Sequence, residues 1–349
     1  MNLLDNRIVI SAIAILCAFN INAQNNNYKL AAIGFYNLEN LFDNYDDPTI
    51  NDEEFLPDGK NAWTIERYEE KIANMAYAIS QIASDQVAPG LSILGVAEIE
   101  NKKVLQDLAN HPLLKNRNYQ IVHYDSPDRR GVDVALFYNP SHFKVNESRP
   151  IELILYGENG KREYTRDILF VGGEFDGEEL FVLVNHWPSR RGGESKSAYK
   201  RNKAAAICRS ISDSLYAIKP HAKVIIMGDL NDDPTSPSLI GYLRAKGKKA
   251  DVEPGGLYNP FYDFYRRGFG SNAYQDSWSL FDQIIISQNF LDEKQDGYRF
   301  FKANIFNRQF LIQQTGKYKG YPFRTFSFDN YQGGYSDHFP TYILVAKKL

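Results

Sequence analysis

Nine stretches of the chain show apolar runs, or alternation of apolar and polar residues, over the length of a β-strand. In chain order they read KLAAIGFYNL, LSILGVAEI, YQIVHY, VDVALFY, DILFVGGEF, LFVLVNHW, KVIIMGDL, LFDQIIIS and TYILVAKK. Helical patterns separate some of these stretches but not all of them. The hydrophobic pattern therefore predicts a protein rich in β-sheet.

Two segments repeat apolar residues at alternating spacings of three and four, as an amphipathic helix does. The first is TIERYEEKIANMAYAISQIA, in which Ile65, Ile72 and Ile79 fall on one face. The second is SAYKRNKAAAICRSISDSLYAI, with Ser197 as a candidate N-cap. We predict a helix over each segment.

The helices fall between groups of strands and do not follow every strand, so a barrel or a doubly wound sheet fits poorly. Two packed sheets with helices outside fit better, and the predicted fold class is α/β. The chain has 349 residues, of which 43% are hydrophobic, so it can bury a full core. No linker-like composition divides residues 24–349, which we predict to form one catalytic domain.

The N-terminal residues have the pattern of a signal peptide, and we assign residues 1–23 to it. An apolar run covers about residues 8–21, which is too short for a membrane-spanning helix, and a polar stretch follows Ala23. Cys17 is preceded by Leu16 where a lipoprotein anchor needs a small residue. We therefore predict an exported protein, periplasmic or extracellular, with no stable membrane anchor.

Charge and cysteine content narrow the possible functions. The formal net charge is −3, so a strongly basic nucleic-acid footprint is absent, and phosphate binding depends on local Arg and Lys residues. Without the signal peptide Cys208 is the single cysteine, and its apolar surroundings predict a buried thiol, not a nucleophile. No feature sets an oligomeric state, and we take a monomer as the expectation.

Polar side chains stand at the ends of several predicted strands, and strand ends that share one edge of a fold build sites. They are Asn37, Glu98, His186, Asp229, Asn231 and Asp282. Alternation places Asp229 and Asn231 on one side, although Gly-Asp-x-Asn is also ordinary turn chemistry. Glu98 and Glu100 compete for one role, and we favour Glu98 because a carboxylate at a buried strand end needs a partner or a metal. Asn37 either ligates a hard cation, holds a carboxylate that does, or is a core amide bonded to backbone.

The segment GGYSDHFP carries Asp337 and His338 together on a Gly-rich turn. An imidazole can move protons near neutral pH, and a carboxylate against it orients the ring. Neighbours along a strand point to opposite sides, so Asp282 is a better candidate than Asp337 to orient His338. We predict His338 as a general base and Asp337 as a metal ligand or a carboxylate of the phosphate site. His186, which ends a strand before Trp187, is the second histidine placed to act.

Oxygen ligands, two histidines and nearby arginines together suit hydrolysis of a phosphate ester, in which a cation stabilises charge and an imidazole activates water. The oxygen donors favour Mg²⁺, with Mn²⁺ or Ca²⁺ as alternatives, over zinc. The sequence has no GxSxG, Walker or HExxH motif and no CxxC pair. Arg130, Arg190 and Arg191 lie in basic clusters and are candidates for phosphate contact, the alternative being a solvated surface.

One aromatic-rich loop, YNPFYDFYRRGFGSNAYQDSW, has three possible roles. Its rings can stack on nucleic-acid bases, insert into lipid, or pack against one another. We favour packing for most of them.

Seven motifs, in order along the chain, resemble those of the endonuclease/exonuclease/phosphatase superfamily. They are FYNLENLF, GVAEIEN, RRGVDVALFY, VNHWPSR, GDLNDDP, SWSLFDQIIIS and YSDHFP. The resemblance implies a four-layer α/β sandwich of two mixed β-sheets flanked by helices, with a divalent-metal site at one edge. It also implies that Asn37, Glu98 and Asp337 bind the metal.

The same resemblance implies roles for the other residues. His186 matches the histidine that acts as general acid or stabilises the transition state. Asp229 and Asn231 match the pair that contacts the scissile phosphate, and Asp282 with His338 matches the pair in which the histidine is the base.

The leading hypothesis is a secreted, metal-dependent phosphodiesterase that acts on nucleic acid, with DNA as the first substrate to test. A phosphatase or a sphingomyelinase-type enzyme using the same site is the alternative. Gln283 stands where inositol phosphatases carry an Arg, which makes that substrate class less favoured. A non-catalytic binding module is the third hypothesis, and it conflicts with a competent residue at every matched position.

Overall fold

The computed structural model describes residues 28–294, 296–327 and 330–349. The predicted signal peptide, residues 1–23, lies outside the described residues. Across the part of the chain that is described, no helix has both the length and the apolar character needed to cross a bilayer.

Nineteen strands and four α-helices form the described part of the chain. The strands are β1 Tyr28–Leu41, β2 Leu91–Ile99, β3 Gln120–His123, β4 Asp133–Tyr138, β5 Phe143–Ile151, β6 Leu155–Tyr156, β7 Arg162–Glu163, β8 Ile168–Phe175, β9 Glu178–His186, β10 Lys223–Asp229, β11 Ala245–Lys246, β12 Leu257–Tyr258, β13 Asn272–Tyr274, β14 Ser277–Ser279, β15 Asp282–Ser287, β16 Arg299–Ile305, β17 Phe326–Ser327, β18 Asn330–Tyr331 and β19 Thr341–Lys348. The helices are α1 Ile65–Gln81, α2 Lys102–Asn110, α3 Glu194–Ile218 and α4 Tyr262–Arg266.

Two large mixed sheets dominate the fold. A six-stranded sheet has the order β16-β19-β1-β2-β4-β3, in which β1 and β2 run parallel and the other neighbours antiparallel. A seven-stranded sheet has the order β11-β12-β15-β10-β9-β8-β5, with β9 and β10 parallel near its centre. Each sheet therefore has a central parallel pair whose carboxyl ends lie at the same edge.

Three apolar clusters hold the layers together. The central cluster packs one sheet on the other, with Ile33 and Ile343 from the first sheet and Val184 and Ile284 from the second. The second cluster covers the outer face of the six-stranded sheet with α1 and α2. The third covers the outer face of the seven-stranded sheet with α3, where Cys208 is buried as expected. The order helix, sheet, sheet, helix confirms the predicted four-layer sandwich.

The nine predicted strands are all present, and the structure adds elements that the hydrophobic pattern did not show. The longest additions are the edge strands β5 and β16, in which many side chains are exposed, so neither has a strong apolar run. Helix α2 was also missed because it is short and begins with two lysines.

The predicted N-cap of α3 was wrong. The helix begins at Glu194, one turn before Ser197, and its N-cap residue is Gly193. The hydroxyl of Ser197 donates to the carbonyl of Gly193 and accepts from Arg201, so it lies inside the first turns of the helix.

Candidate active site

The strand ends of both sheets meet at one edge of the sandwich. Asn37 of β1 and Glu98 of β2 come from the six-stranded sheet. His186 and Asp229 end β9 and β10 of the seven-stranded sheet and are partners in register. Asp282 opens the antiparallel neighbour β15 and lies opposite Asp229. The structure thus brings together five of the predicted site residues, and they bridge the two sheets.

Two β-bulges aim the side chains of the six-stranded sheet into the site. Glu98 lies where the register of β2 shifts against both neighbours, and its φ is 58°. The register of β1 shifts between Asn37 and Leu41, where Glu39 and Asn40 also have positive φ. A bulge redirects a side chain that simple alternation would send elsewhere, and such backbone strain concentrates at functional sites.

Asn37 links carboxylates of both sheets. Its Nδ2 donates to Glu98 Oε1 and to Asp229 Oδ2, each at 3.1 Å, while its Oδ1 accepts from the backbone amide of Glu39 at 2.9 Å. Of the roles considered for this buried amide, the structure shows the one in which it holds carboxylates. Glu100 points away from this point and accepts from the amide of Asp43. The contacts therefore distinguish Glu98 from Glu100.

His338 and Asp282 form a buried pair. The Nδ1 of His338 lies 2.6 Å from Asp282 Oδ2, which also accepts from the hydroxyl of Ser271. Burial alone lowers the pKa of His338, but the nearby carboxylates, Asp282 first, outweigh it and raise the pKa well above its ordinary value. The free Nε2 is 3.8 Å from Asp229 Oδ2. This imidazole is oriented by one carboxylate and faces another.

His186 faces the same carboxylate from the other side. Its Nε2 lies 3.6 Å from Asp229 Oδ2 and 3.7 Å from Glu98 Oε1. Burial, and then the positive charges of Arg166 and Arg130, lower its pKa well below the ordinary value. His186 is therefore held as a neutral imidazole, in contrast to His338.

Asp229 stands at the centre of the arrangement. It is buried, and burial raises its pKa to about 7, with the carboxylates of Asp282 and Glu98 adding to the rise and His338 opposing it. Its Oδ1 accepts from the amide of Asn231. The carboxylate of Asp229 therefore has four polar neighbours: the amide of Asn37, the imidazoles of His186 and His338, and the backbone amide of Asn231.

Asn231 adopts the turn that the sequence left open as an alternative. Strand β10 ends at Asp229, and Asn231 has a φ of 50°, so alternation does not set its direction. Its Nδ2 donates to the carbonyl of Trp187 at 2.9 Å. This hydrogen bond holds the loop that follows His186 in place.

Asp337 lies at the mouth of the site. Its Oδ1 is 3.9 Å from His338 Nε2, and its Oδ2 accepts from Arg324 at 3.1 Å. Arg324 also donates to Glu39, which accepts from the amide of Thr325. No local pattern in the sequence marked Arg324, and Glu39, the one acid of the motif FYNLENLF, was passed over in favour of Asn37.

The arginines near the site differ in how many acidic side chains pair with them. Arg130 donates twice to Asp128, and its side chain is half exposed. Arg166, which the sequence analysis missed, is buried against the same Asp128 and donates to the carbonyl of His186. Both cations therefore lie close enough to His186 to lower its pKa.

The other two predicted phosphate contacts lie in the loop before α3. Arg190 is paired with Asp232, Asp233 and Glu194, so its charge is largely neutralised within the loop. Arg191 is exposed.

The chemistry of the donors fits a divalent cation. Ligand atoms of Glu98, His186 and Asp229 lie within 4.8 Å of one another, a set that shares Glu98 with the predicted ligands. Asn37 lies within 3.1 Å of two of these carboxylates. The two carboxylates supply the oxygen donors that Mg²⁺ and Mn²⁺ prefer, and Asn37 orients both of them through its Nδ2.

A second His-Asp cluster lies on β3 and β4. His123 is bonded to Asp133 at 3.0 Å, while Asp125 is 90% exposed and 3.9 Å from the ring. His123 and Asp133 are each other's hydrogen-bond partners in a buried position, so we assign His123 a structural role.

Comparison of the fold with solved structures returns proteins of low sequence identity. TDP2 of D. rerio complexed with a single-strand DNA product is 14% identical, with a TM-score of 0.52 over 90% of this chain and 98% of that one. A mannosyl-6-phosphatase of Bacteroides thetaiotaomicron is 16% identical, with a TM-score of 0.52 over 90% and 99%. An endonuclease/exonuclease/phosphatase family protein of the same organism is 17% identical, with a TM-score of 0.52 over 93% and 97%.

No curated protein matches the chain significantly in sequence. The family model described as "Endonuclease/Exonuclease/phosphatase family" matches residues 32–347, which include both sheets and every residue of the site. Members of this family are metal-dependent phosphoric ester hydrolases. The chain therefore belongs to the endonuclease/exonuclease/phosphatase family, and it is a metal-dependent phosphoric ester hydrolase.

Proposed function

We propose that this protein is an exported phosphodiesterase that hydrolyses nucleic acid, with Mg²⁺ or Mn²⁺ as its cation. The observation that carries the proposal is the pair of imidazoles facing Asp229 Oδ2, His186 at 3.6 Å and His338 at 3.8 Å. Two imidazoles that face the same carboxylate oxygen from different sides suit a reaction that needs both a base and an acid.

His338 acts as the base in this proposal. The Nδ1–H of His338 donates a hydrogen bond to Asp282, which fixes the tautomer, so above the raised pKa the Nε2 of the neutral ring takes a proton from the attacking water. Ser271 donates to the same Asp282 oxygen and holds the carboxylate in place. His186, neutral and on the opposite side, donates a hydrogen bond to the phosphoryl oxygen or leaving oxygen.

Glu98 and Asp337 hold the cation, with Asn37 keeping Glu98 oriented. When bound, the cation supplies positive charge that stabilises the phosphorane-like transition state. Asp229 orients water or substrate between the two imidazoles, and Asn231 fixes the loop that carries it. Arg130, half exposed beside Arg166, supplies the positive charge nearest to the phosphate.

Two observations support nucleic acid as the substrate. One structural relative, TDP2 of D. rerio, was solved in complex with a single-strand DNA product. Beside Asp337 there is also a cavity of about 1070 Å³, lined by tyrosines and cations, which accommodates more than a phosphoryl group. Because Arg190 is neutralised by acids, recognition depends on this cavity and on Arg130 more than on a long basic surface.

A phosphatase acting on a small phosphate ester is the second candidate. It is favoured by the low density of unpaired cations around the site and by the net charge of −3. A relative of the same fold is named as a mannosyl-6-phosphatase. A lipid substrate has less support, because Tyr258 and Phe261 of the aromatic loop are buried in the core between the sheets.

The experiment compares three substrates with the mature protein in Mn²⁺: a single-stranded oligonucleotide, a supercoiled plasmid and a set of sugar phosphates. We expect cleavage of the nucleic acids, abolished by EDTA and by His186→Ala. Release of inorganic phosphate from sugar phosphates, with both nucleic acids intact, would replace the proposal with the second candidate.

Export rests on the pattern of residues 1–23 and has its own test. Expression of the full chain in a bacterial host, followed by fractionation and N-terminal sequencing, is expected to give a periplasmic or secreted protein beginning near Gln24. A cytoplasmic protein that retains its first residues would contradict this part of the proposal.

A further inference from the structure

A large cavity adjoins the site on the side of Asp337. It has a volume of about 1070 Å³ and shares Glu39, Asn40, Arg324 and Asp337 with the mouth of the site. Ligand pockets for molecules of a few tens of atoms measure about 300–1000 Å³. The cavity is therefore too large for a single phosphoryl group or one sugar ring, and a ligand that fills it extends from the reacting phosphate.

A short hairpin forms one wall of this cavity. Strands β13 and β14 are joined by the two-residue turn Gln275-Asp276, and both turn residues have positive φ, 49° and 61°. Such a turn is favourable with Asn or Gly and strained with Gln. Tyr321 compensates by donating to Asp276 Oδ1 and accepting from the Asp276 amide. The hairpin tip is thus held in one geometry by Tyr321, a residue distant in the chain that also lines the cavity.

The same hairpin is joined to the proposed catalytic pair. Asn272 forms a β-bridge with His338, and the amide of Phe339 donates to the carbonyl of Ser271. Ser271 is also the residue that bonds Asp282. The position of Tyr274 on the hairpin is therefore coupled by a short chain of hydrogen bonds to the position of His338.

Several aromatic rings line the cavity close to the hairpin. Tyr274 is 74% exposed, one of the most exposed large side chains in the described part of the protein. The rings of Tyr318 and Tyr321 are 5.6 Å apart, and Tyr321 is bonded to Asp276 at the hairpin tip. Tyr274 is a large aromatic side chain that is exposed beside the site, and the hairpin that carries it is held in one geometry. Its ring is therefore suited to stacking on a ligand.

The polar lining selects among planar ligands. Gln275, Gln313 and Gln332 present amides, each able to donate and accept, as the edge of a nucleobase requires. The charged residues of the lining are mixed in sign: Lys60, Lys317 and Arg324 against Glu39, Glu54, Asp276 and Asp337. The amides and the aromatic rings, and not the net charge, therefore favour a base over a sugar.

We propose that this cavity binds the unpaired nucleoside next to the scissile phosphate, with Tyr274 as its stacking platform. The inference rests on the proposed function and adds a substrate preference to it: a single-stranded end is bound more tightly than a duplex. Stacking on one aromatic side chain changes affinity by about 5- to 100-fold per base.

The test compares a diester that has a base with one that lacks it. The p-nitrophenyl ester of thymidine monophosphate and methyl p-nitrophenyl phosphate have the same leaving group, so the ratio of their kcat/KM values reports the nucleoside. We expect Tyr274→Ala to lower this ratio about 5- to 100-fold, mainly through KM. Tyr274→Phe, which keeps the ring, and Tyr28→Ala, at the far end of β1, serve as controls and are expected to keep the wild-type ratio.

A second readout does not require catalysis. Binding of a fluorescent oligothymidylate in EDTA is expected to weaken by a similar factor in Tyr274→Ala and to stay unchanged in both controls. Hydrolysis of both diesters with an unaltered ratio and unaltered binding would overturn the nucleoside subsite while leaving the proposed function standing. If neither diester is hydrolysed by the wild type, the proposed function fails, and the binding comparison alone decides the subsite. Tighter binding of a sugar phosphate than of the oligothymidylate would assign the cavity to a glycan instead.

Discussion

At the scale of residues, the charges that surround the two histidines of the site give them different pKa values. His338 and His186 differ because one has Asp282 at 2.6 Å and the other has two arginines nearby, so their pKa values move in opposite directions. Paired groups whose environments push their pKa values apart are the usual sign of a base and an acid at one centre.

Replacing Asp282 by Asn tests the proposed base. The raised pKa of His338 means that its neutral form is lost as the pH falls through that value, so activity falls with it. Without this carboxylate only Asp337 and Asp229 oppose the burial that lowers the pKa, so the pKa of His338 falls and the acid limb of the profile moves to lower pH. We expect kcat at the plateau to drop about 10²- to 10⁴-fold. The measurement is the pH dependence of kcat for bis(p-nitrophenyl) phosphate, and an unshifted acid limb would contradict the role of the pair.

Two neighbouring glutamates, Glu98 in β2 and Glu100 directly after it, give a matched comparison. Glu98 faces Asn37 and Asp229, whereas Glu100 accepts from the backbone of Asp43 and can do so equally well as Gln. We expect Glu98→Gln to weaken Mn²⁺ binding at least about 100-fold and Glu100→Gln to keep the wild-type affinity. Calorimetric titration of the metal-free protein measures both values. Equal affinities in the two variants would remove Glu98 from the proposed metal site.

The residues that the sequence could predict were those at the ends of strong strands. Asn37, Glu98, His186, Asp229 and Asp282 follow apolar runs, and a polar residue at that position stands out without any structure. Glu39, Arg166 and Arg324 could not be found this way, because their partners are distant in the chain: Arg324 reaches Glu39 across 285 positions.

At the scale of elements, the hairpins and bulges decide where side chains point. Apolar runs predicted the central strands, but alternation alone misplaced Asn231, because β10 stops at Asp229 and a turn follows. The bulges at Glu98 and after Asn37 also carry no composition signal, since neither contains glycine. The edge strands β5 and β16 escaped prediction for a related reason: they are polar on much of their length.

The hairpin between β8 and β9 offers a test of stability far from the site. Its turn residue Asp176 has a φ of 48° and accepts from Lys29, Tyr298 and His142. Burial raises the pKa of Asp176, but these partners outweigh it and hold the pKa below its ordinary value. The resulting stabilisation is present above the pKa of the unfolded chain and is lost as the pH falls through the folded value.

We therefore expect Asp176→Asn, which keeps the turn geometry, to lower the free energy of unfolding by about 1 kcal/mol at pH 7, with solvent screening already considered. The difference from the wild type should shrink as the pH falls through the lowered folded-state pKa, because the carboxylate is then protonated in both states. Urea denaturation at pH 7 and over a series of acidic pH values measures it. Asp85→Asn, which breaks the exposed pair with Arg308, is the control and should cost less. A pH-independent loss in Asp176→Asn would point to the turn and not to the charge.

At the scale of the whole molecule, the site is one of the places where polar contacts join the two sheets. Asn37 of the six-stranded sheet bonds Asp229 of the seven-stranded sheet, and Ser336 beside His338 donates to the carbonyl of Asn37. An apolar core fills the space between the sheets, and ion pairs join them again at the other end of β1, where Lys29 pairs with Asp176. A cation bound by residues of both sheets therefore links the two halves of the sandwich.

Such a link predicts a thermal shift. A ligand that binds only the folded state at a hundredfold excess over its Kd adds about 2.7 kcal/mol to stability. For a chain of this size we expect Mn²⁺ to raise Tm by about 5 °C. Differential scanning calorimetry with and without EDTA measures the shift, which Glu98→Gln should remove. A rise of the same size in that variant would place the stabilising ion elsewhere.

The central claim is that phosphoric esters are hydrolysed at the point between His186 and His338. The most direct measurement is the rate of bis(p-nitrophenyl) phosphate hydrolysis by the mature protein with Mn²⁺, with EDTA, and in His338→Ala and His111→Ala. The account predicts activity that requires the metal, is lost in His338→Ala and is kept in His111→Ala, whose histidine caps α2 far from the site. Equal activity in all four conditions would contradict it.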